Sequence, residues 1–236
     1  MPDVTIEVPA TGALTAYFSP AVGIDGPAPG VVVVHEAFGL NADIRDMADQ
    51  FAARGFHAIA PDLLSYGATV RCLVTVTRAL GKGEGRPFTE IAAARSWLTD
   101  RDDCTGRIGI AGFCLGGAFA ILMANRGFDA SAANYGRLPA RLDAAAAGAC
   151  PVVASYGGRD GSLKGASSKL EAALEAAGVE HDVKEYPEAG HSFLNHSEAP
   201  SWMKPFARTL HASYVDTAAT DAWDRIERMF DSTLRG

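Results

Sequence analysis

The sequence predicts an α/β fold in which a mostly parallel, twisted sheet carries helices on both faces. Short apolar runs alternate with amphipathic stretches along most of the chain, and this alternation is typical of strands joined by right-handed helical crossovers. The run GVVVVH, residues 30–35, is almost entirely apolar, as in a strand buried on both faces. No linker divides the 236 residues, so we expect a single domain spanning residues 1–236.

The individual elements follow from local patterns. VTIEV and LTAYF alternate apolar and polar residues around Thr11 and Gly12, which predicts an N-terminal antiparallel hairpin. NADIRDMADQFAARG has helical spacing, with Asn41 as the N-cap and Gly55 as the C′ residue. Later strands are expected at FHAIAP, RIGIAG, ASAANYG, CPVVASYG and VEHDVKEYP, and later helices at FTEIAAARSWLT, LGGAFAILMANRG, SSKLEAALEAAG and DAWDRIERMF.

Composition and charge exclude several classes of protein. The formal net charge is −7 and basic residues are not clustered, so neither nucleic acid nor an anionic membrane is an expected partner. The apolar runs are too short to span a bilayer, and MPDVTIEVPATG lacks the features of a signal peptide, so we expect a cytoplasmic location. No disulfide framework, metal or other cofactor is expected. The histidines are not spaced as metal ligands, and neither a disulfide framework nor a zinc site is indicated by the four cysteines: Cys72, Cys104, Cys114 and Cys150.

The segment GFCLGG, residues 112–117, joins an expected strand to a helix that begins at Leu115, with Cys114 at the junction. So sharp a turn needs small residues two positions before and after its centre, and Gly112 and Gly116 supply them. The helix N-terminus favours a thiolate, and the N–H of Leu115 is placed to bind an oxyanion. The alternative is an inert, buried cysteine, and this motif alone does not decide between the two.

Two further residues follow strands at the same edge of the expected sheet. Asp160 comes after CPVVASYG and His191 after VEHDVKEYP, which gives the chain order nucleophile, acid, histidine. A histidine that accepts the thiol proton, oriented by a carboxylate, activates such a nucleophile. Taken singly, Asp160 also fits a turn residue and His191 a loop histidine bonded to backbone. Their joint occurrence in this order favours a catalytic Cys114.

The remaining aromatic and histidine residues divide into expected roles. Phe38, Tyr135 and Phe193 stand at or near strand ends and are candidates to line a substrate pocket. Within strand patterns lie His57 and His181, which are expected to be structural. We expect His196 and His211 to face solvent. Four aromatic residues near the end of the chain are expected to pack against the sheet: Trp202, Phe206, Tyr214 and Trp223. A docking face for a partner is the less favoured alternative.

From about residue 30 to its end, the sequence resembles the dienelactone hydrolase family. The resemblance is carried by four blocks that occur in order: HEAFGLNADIRDMADQFAARGFHAIAPDLL, GFCLGG, GGRD and EAGHSF. It implies an α/β-hydrolase fold and a triad of Cys114, Asp160 and His191. It further implies that Glu36 in HEAFG controls the protonation state of Cys114, and that the N–H of Ala37 joins that of Leu115 in an oxyanion hole.

Glu36 also has a simpler interpretation as a charged residue at a strand end, paired with Arg45. A carboxylate near a thiolate is electrostatically unfavourable, so its presence favours a functional role.

The sequence departs from the family at the arginines that hold a substrate carboxylate in dienelactone hydrolases. One of them lies four residues beyond the catalytic histidine, where this chain has Asn195. A second would fall in SYGATVRCLVTVTRALGKGEGRPF, which matches poorly and offers Arg71, Arg78 and Arg86 without selecting among them. Loss of a bidentate carboxylate clamp removes a strong, oriented interaction. The resemblance therefore supports the fold and the reaction type and leaves the substrate open.

The expected function is hydrolysis of a small ester or lactone through an acyl-thioester on Cys114. A second hypothesis is a non-catalytic or redox-responsive binding protein that uses Cys114 as a reactive thiol. A sensor would need neither Asp160 nor His191, which favours the enzyme. The sequence does not indicate an oligomeric state.

Overall fold

One eight-stranded sheet forms the centre of the computed structural model, which describes residues 3–9, 11–65, 69–196 and 209–236. Its strands are β1 (Asp3–Val8), β2 (Gly12–Ser19), β3 (Ala28–Val34), β4 (His57–Pro61), β5 (Cys104–Phe113), β6 (Ala130–Asn134), β7 (Val152–Gly157) and β8 (His181–Tyr186). They lie in the order β1-β2-β4-β3-β5-β6-β7-β8. β2 is antiparallel to β1 and to β4, and the other neighbouring pairs are parallel.

Helices cover both faces of this sheet. They are α1 (Ala42–Ala53), α2 (Thr69–Lys82), α3 (Arg86–Thr99), α4 (Leu115–Met123), α5 (Leu142–Ala146), α6 (Ala166–Ala176) and α7 (Asp216–Leu234). On one face α1 packs on α7, where the Phe51 ring lies 5.0 Å from that of Trp223. On the other face α3 meets α4, with the rings of Phe88 and Phe119 5.1 Å apart. The predicted fold, including the antiparallel hairpin, is confirmed.

The sequence patterns place most of these elements correctly. Every residue of β3, β4, β6 and β7 is buried, as their continuous apolar character predicts. Asn41 caps α1 by accepting a hydrogen bond from the N–H of Ile44 at 3.0 Å, and Gly55 follows the helix with φ of +81°. The sequence patterns do not predict α2, although Cys72, Val76 and Ala79 are buried there and are spaced as on one helical face.

The expectations about the late aromatic residues and about membrane-spanning segments can be compared with the described residues. Trp223 is buried against the sheet side of α7, whereas Tyr214 is 37% exposed. The side chains of Trp202 and Phe206 lie outside the described residues. Within the described part of the chain, no helix has the length and apolar character needed to cross a membrane.

A buried arginine ties α7 to the β7–β8 edge of the sheet. Nε and Nη2 of Arg225 each donate to a carboxylate oxygen of Asp182 at 2.8 Å. Its Nη1 donates to Ser155 Oγ and Tyr186 Oη at 3.1 Å, and Nη2 donates to the carbonyl of Ala154 at 3.1 Å. The planar guanidinium thus satisfies side-chain and backbone acceptors on two strands at once.

We expect Arg225→Leu to lower the free energy of unfolding by about 2–3 kcal/mol, because buried acceptors would lose their donors. Asp182 is half-exposed and regains water, which keeps the loss below that of a fully buried pair. Urea denaturation measures the change. Arg228→Leu, at an exposed position on the same helix, is the matched control and should shift stability by no more than about 0.5 kcal/mol. Equal effects of the two substitutions would contradict the anchoring role of Arg225.

Candidate active site

Cys114 sits in the turn between β5 and α4, as the sequence predicts. Its backbone has φ of 53° and ψ of −110°, a region that residues with a Cβ rarely adopt. Two backbone hydrogen bonds hold it there: the N–H of Cys114 donates to the Asn134 carbonyl at 3.1 Å, and its own carbonyl accepts from the N–H of Gly117 at 3.0 Å. The partly buried side chain therefore projects from a tightly determined position above the sheet.

The glycines on either side of Cys114 are required sterically. A Cβ at Gly112 would lie 1.9 Å from the carbonyl oxygen of Gly116, and a Cβ at Gly116 would lie 2.0 Å from the carbonyl oxygen of Val34. Both distances are far below van der Waals contact, so the turn exists only without these side chains. The same packing presses the start of α4 against the end of β3.

Asp160 and His191 are joined by a short hydrogen bond. Nδ1 of His191 lies 2.5 Å from Oδ2 of Asp160. The other carboxylate oxygen accepts from the N–H of Ser162 at 3.0 Å and from its hydroxyl at 2.6 Å. The backbone N–H of His191 donates to the Leu210 carbonyl at 3.0 Å. Asp160, after β7, and His191, after β8, thus meet at the edge where the sequence places them.

Cys114 completes this group, because it lies close enough to His191 to act on the pKa of the imidazole. Burial lowers the pKa of His191, but the interactions of the imidazole with Asp160 and with Cys114 outweigh this effect and raise the pKa to about 10. Burial also acts to raise the pKa of Asp160, yet the hydrogen bonds from His191 and Ser162 bring it below its usual value. The geometry and charge therefore favour an imidazolium flanked by two acidic groups.

Glu36 follows β3 and is buried beside the same histidine. Its Oε1 accepts a hydrogen bond from Ser192 Oγ at 3.1 Å. Burial raises the pKa of Glu36 to about 7, although the charge of His191 and the hydrogen bonds from Ser192 and Asn195 oppose the rise. The alternative of a Glu36–Arg45 pair is wrong, because Arg45 instead binds Asp3 at 2.6 Å on the surface.

Asn195 occupies the centre of a buried polar network. Its Oδ1 accepts from the Tyr135 hydroxyl at 2.7 Å, and its Nδ2 donates to Asp43 Oδ2 at 3.3 Å. The same side chain acts to lower the pKa of Glu36. Both ends of the Asn195 amide are therefore engaged by protein groups, next to two buried carboxyl groups, Glu36 and Asp43.

The three candidate pocket residues fall in different environments. Tyr135 and Phe193 are fully buried, with their rings 5.5 Å apart and the Tyr135 ring 5.3 Å from that of His191. They pack behind the histidine and do not reach solvent, so direct contact of either ring with a substrate is not what this geometry favours. Phe38 is partly exposed and stays a candidate for contact.

Backbone strain is concentrated around this group of residues. Among the described residues, the non-glycine positions with positive φ are Cys114, Tyr135, Ser192 and His211. The first three carry the contacts given above, and the His211 carbonyl oxygen packs so closely on Gly190 that a Cβ there would lie 2.1 Å away. Conformations of this kind persist only where surrounding structure enforces them, and they cluster at functional sites.

The other sequence expectations are settled by individual contacts. Arg86, one of the three arginine candidates, binds Glu90 at 2.7 Å and the Thr11 carbonyl, and the other two, Arg71 and Arg78, are exposed. His57 and His181 bond backbone groups, and His196 and His211 are exposed, which confirms both predictions. Across the described ranges, no cluster of three or more His, Cys, Asp or Glu side chains is arranged to hold a metal.

Sequence reasoning missed several polar residues around Cys114, Asp160 and His191. The signal for Ser162 is the Asp-Gly-Ser segment, since an aspartate commonly accepts from the residue two positions later. His35, Asp43 and Ser192 carry no local signal, because their partners are distant in sequence or depend on the turn geometry at the ends of the strands.

We expect His191 to remain protonated at pH 8, because its pKa lies near 10. NMR detection of both imidazole nitrogens through a pH titration measures this directly. Asp160→Asn should lower the pKa of His191, since it removes one of the two negative partners, while Asp102→Asn at an exposed turn should leave it unchanged.

The same shift predicts a contribution to stability with a defined pH range. Because the folded-state pKa of His191 is raised, the contribution is fully present below the unfolded pKa of about 6.5 and is lost as pH rises through the folded value. A wild-type titration of His191 centred near pH 6.5 would contradict the ion-paired geometry.

Comparisons with known proteins agree with this architecture. The model of the dienelactone hydrolase family matches residues 14–234. A protein of Methylorubrum extorquens, provisionally named a carboxymethylenebutenolidase, is 32% identical over 93% of this chain and 77% of its own length. The carboxymethylenebutenolidase of Pseudomonas putida is 30% identical over 84% of both chains.

Solved structures show the same similarity. A dienelactone hydrolase-like promiscuous phosphotriesterase from metagenomic libraries superposes with a TM-score of 0.80 at 25% identity, over 98% of this chain and 97% of that one. The dienelactone hydrolase of Anabaena variabilis superposes with a TM-score of 0.69 at 19% identity, over 99% and 97% of the two chains, a likeness that concerns the fold alone.

Proposed function

This chain belongs to the dienelactone hydrolase family, and on that premise we propose that it hydrolyses a small ester or lactone with the sulfur of Cys114 as nucleophile. One observation carries the proposal. Nδ1 of His191 lies 2.5 Å from Oδ2 of Asp160, and Cys114 is close enough to the same imidazole to raise its pKa. This is the arrangement that a histidine needs to transfer protons between a nucleophile and a leaving group.

In the proposed acylation step, the Cys114 sulfur attacks the substrate carbonyl carbon and a C–S bond forms. The N–H groups of Leu115 and Ala37 bind the negatively charged oxygen of the tetrahedral intermediate. As the C–O bond to the leaving group breaks, the His191 imidazolium gives its proton to the departing alkoxide. The product is an acyl-thioester, which in a lactone remains attached to its own alcohol.

Deacylation reverses the role of the histidine. Neutral His191 takes a proton from water, and the resulting hydroxide attacks the thioester carbonyl. The C–S bond breaks, the sulfur leaves as thiolate, and the acid product is released. Asp160 keeps the imidazole oriented and stabilises its charged form in both steps.

Glu36 is proposed to take up and release a proton within this site. A buried carboxyl group with a pKa of about 7 changes protonation state near neutral pH, and its hydroxyl partner, Ser192, directly follows the catalytic histidine. We propose that substrate binding shifts this equilibrium and so controls the protonation state of Cys114.

The charges of the site favour an uncharged acyl group. Glu36 is buried close to both His191 and Asp43, and Asp160 binds Nδ1 of the His191 imidazole. The amide of Asn195, which could otherwise donate to a substrate carboxylate, is already bonded to protein groups. A substrate carboxylate is disfavoured in such a site, because repulsion between like charges is stronger where water is excluded.

Cys114→Ala should abolish turnover of p-nitrophenyl acetate and of simple lactones, lowering kcat by at least about 10³-fold. Mass spectrometry of the wild type after brief exposure to ester should show one acyl group on Cys114. Cys104→Ala is the matched control, since burial raises the pKa of that thiol and makes it a poor nucleophile.

The same experiment separates the enzyme from the redox-responsive alternative. If the Cys114→Ala protein turns over the ester at the wild-type rate, Cys114 is excluded as nucleophile. Peroxide oxidation of Cys114 without any acylation would favour the sensor.

We expect neutral p-nitrophenyl butyrate to be preferred over mono-p-nitrophenyl succinate, its carboxylate-bearing counterpart, by at least about tenfold in kcat/KM, which corresponds to about 1.4 kcal/mol. Asp43→Asn should reduce this preference, because it removes one of the buried negative groups. Asp46→Asn, an exposed change on the same helix, should leave the preference intact. Equal kcat/KM for the two wild-type substrates would contradict the charge argument.

A further inference from the structure

We infer that His35 is a positioning residue for the oxyanion hole, because it fixes the peptide group that carries the Ala37 N–H. The inference rests on the proposed function, which assigns that N–H to the developing oxyanion. His35 directly follows β3, immediately before Glu36. It is 1% exposed and takes no direct part in the chemistry proposed above.

The hydrogen bonds of His35 define one tautomer of its ring. Nε2 lies 3.0 Å from the backbone nitrogen of Leu63, and Nδ1 lies 2.6 Å from the carbonyl oxygen of Glu36. The Leu63 N–H can only donate, so Nε2 accepts. The carbonyl of Glu36 can only accept, so Nδ1 carries the proton. Burial lowers the pKa of His35, which is consistent with this neutral ring.

The carbonyl of Glu36 is therefore held by two donors. One is Nδ1–H of His35, and the other is the backbone N–H of Gly39 at 3.2 Å. This carbonyl belongs to the same planar peptide group as the N–H of Ala37, and in a trans peptide the two bonds point in opposite directions. Fixing the oxygen of Glu36 consequently fixes the direction in which the Ala37 N–H points.

The two contacts also strengthen the N–H as a donor and anchor it to the rest of the sheet. Donation to a peptide carbonyl polarises the whole peptide group, so its N–H becomes a better hydrogen-bond donor. Leu63 lies just beyond β4, the neighbour of β3, so His35 braces one strand end against another. A Cβ at Gly116 would come within 3.0 Å of the His35 carbonyl oxygen, which places this brace directly against the turn that carries Leu115.

A misdirected oxyanion donor affects the transition state more than the bound substrate. Removal of one such donor lowers kcat by about 10²–10³-fold. Since His35→Leu would loosen the donor without deleting it, we expect a decrease in kcat of about 10–100-fold. KM should change by less than about twofold, because ground-state contacts are unaffected.

The test compares His35→Leu with His35→Gln in the full-length protein. The amide of glutamine both donates and accepts, so it can replace both contacts of the imidazole, whereas leucine can replace neither. We expect His35→Gln to restore kcat to within about threefold of the wild type. Each variant is also assayed with a trifluoromethyl ketone, which accepts the Cys114 sulfur to form a hemithioketal oxyanion in the same hole. His35→Leu should lose affinity for this inhibitor in parallel with kcat.

Several outcomes would overturn the inference. One is wild-type kcat and inhibitor affinity in a folded His35→Leu protein. Another is a fall in kcat with unchanged inhibitor affinity, which would indicate a purely structural role. If His35→Leu does not fold, NMR of the wild type decides: a proton on Nε2 of His35 instead of Nδ1 would contradict the proposed contact.

Failure of the inference is distinguishable from failure of the proposed function. Cys114→Ala is measured in the same assays. If it retains turnover, the proposed function is wrong. If it is inactive while His35→Leu behaves as the wild type, the proposed function stands and only the role of His35 is wrong.

Discussion

The close approach of two backbone segments is the constraint on which the site depends. The turn at Cys114 lies against the end of β3 so tightly that a Cβ at Gly116 would stand 2.0 Å from the Val34 carbonyl. This approach brings the Cys114 sulfur and the Leu115 N–H next to the segment that carries His35, Glu36 and the Ala37 N–H. Parallel neighbours β3 and β5 end at the same edge of the sheet, so one steric fit positions groups that are some 80 residues apart in sequence.

Charge provides the second level of organisation. His191 interacts with the Asp160 carboxylate and with Cys114, and these interactions outweigh the effect of burial on its pKa. At Glu36, burial outweighs the charge of His191 and the hydrogen bond from Ser192, so the pKa is raised. Asp160 and Glu36 both lie beside the His191 imidazole, yet the pKa of Asp160 is lowered and that of Glu36 is raised, because their hydrogen-bond partners differ. Asn195 hydrogen-bonds Asp43 and Tyr135 and acts on the pKa of Glu36 without adding a charge.

The sequence predicts the fold and the triad because both rest on local signals. Buried parallel strands are mostly apolar, the turn at Cys114 requires Gly112 and Gly116, and Asp160 and His191 lie in the loops that follow two neighbouring strands. The roles of Tyr135 and Phe193 could not be predicted in this way. Both are aromatic and stand after strand ends, as pocket residues often do, yet the φ of 41° at Tyr135 directs its ring into the core. A strained backbone conformation at a residue with a Cβ has no signal in composition or spacing.

By itself, the sequence determined the order and type of the secondary-structure elements, the sharp turn at Cys114 and the identity of the three residues that meet there. Short-range sterics and hydrophobic periodicity act between neighbours in the chain, so they can be read along it. Only the tertiary structure decided the partners of His35, Asp43 and Asn195, the engagement of Arg45 with Asp3 and the burial of the Arg225 side chain between α7 and the sheet. These depend on which side chains converge across strands and helices that are distant in sequence, and on the loss of water that makes each polar group bond to whatever partner the fold brings within reach.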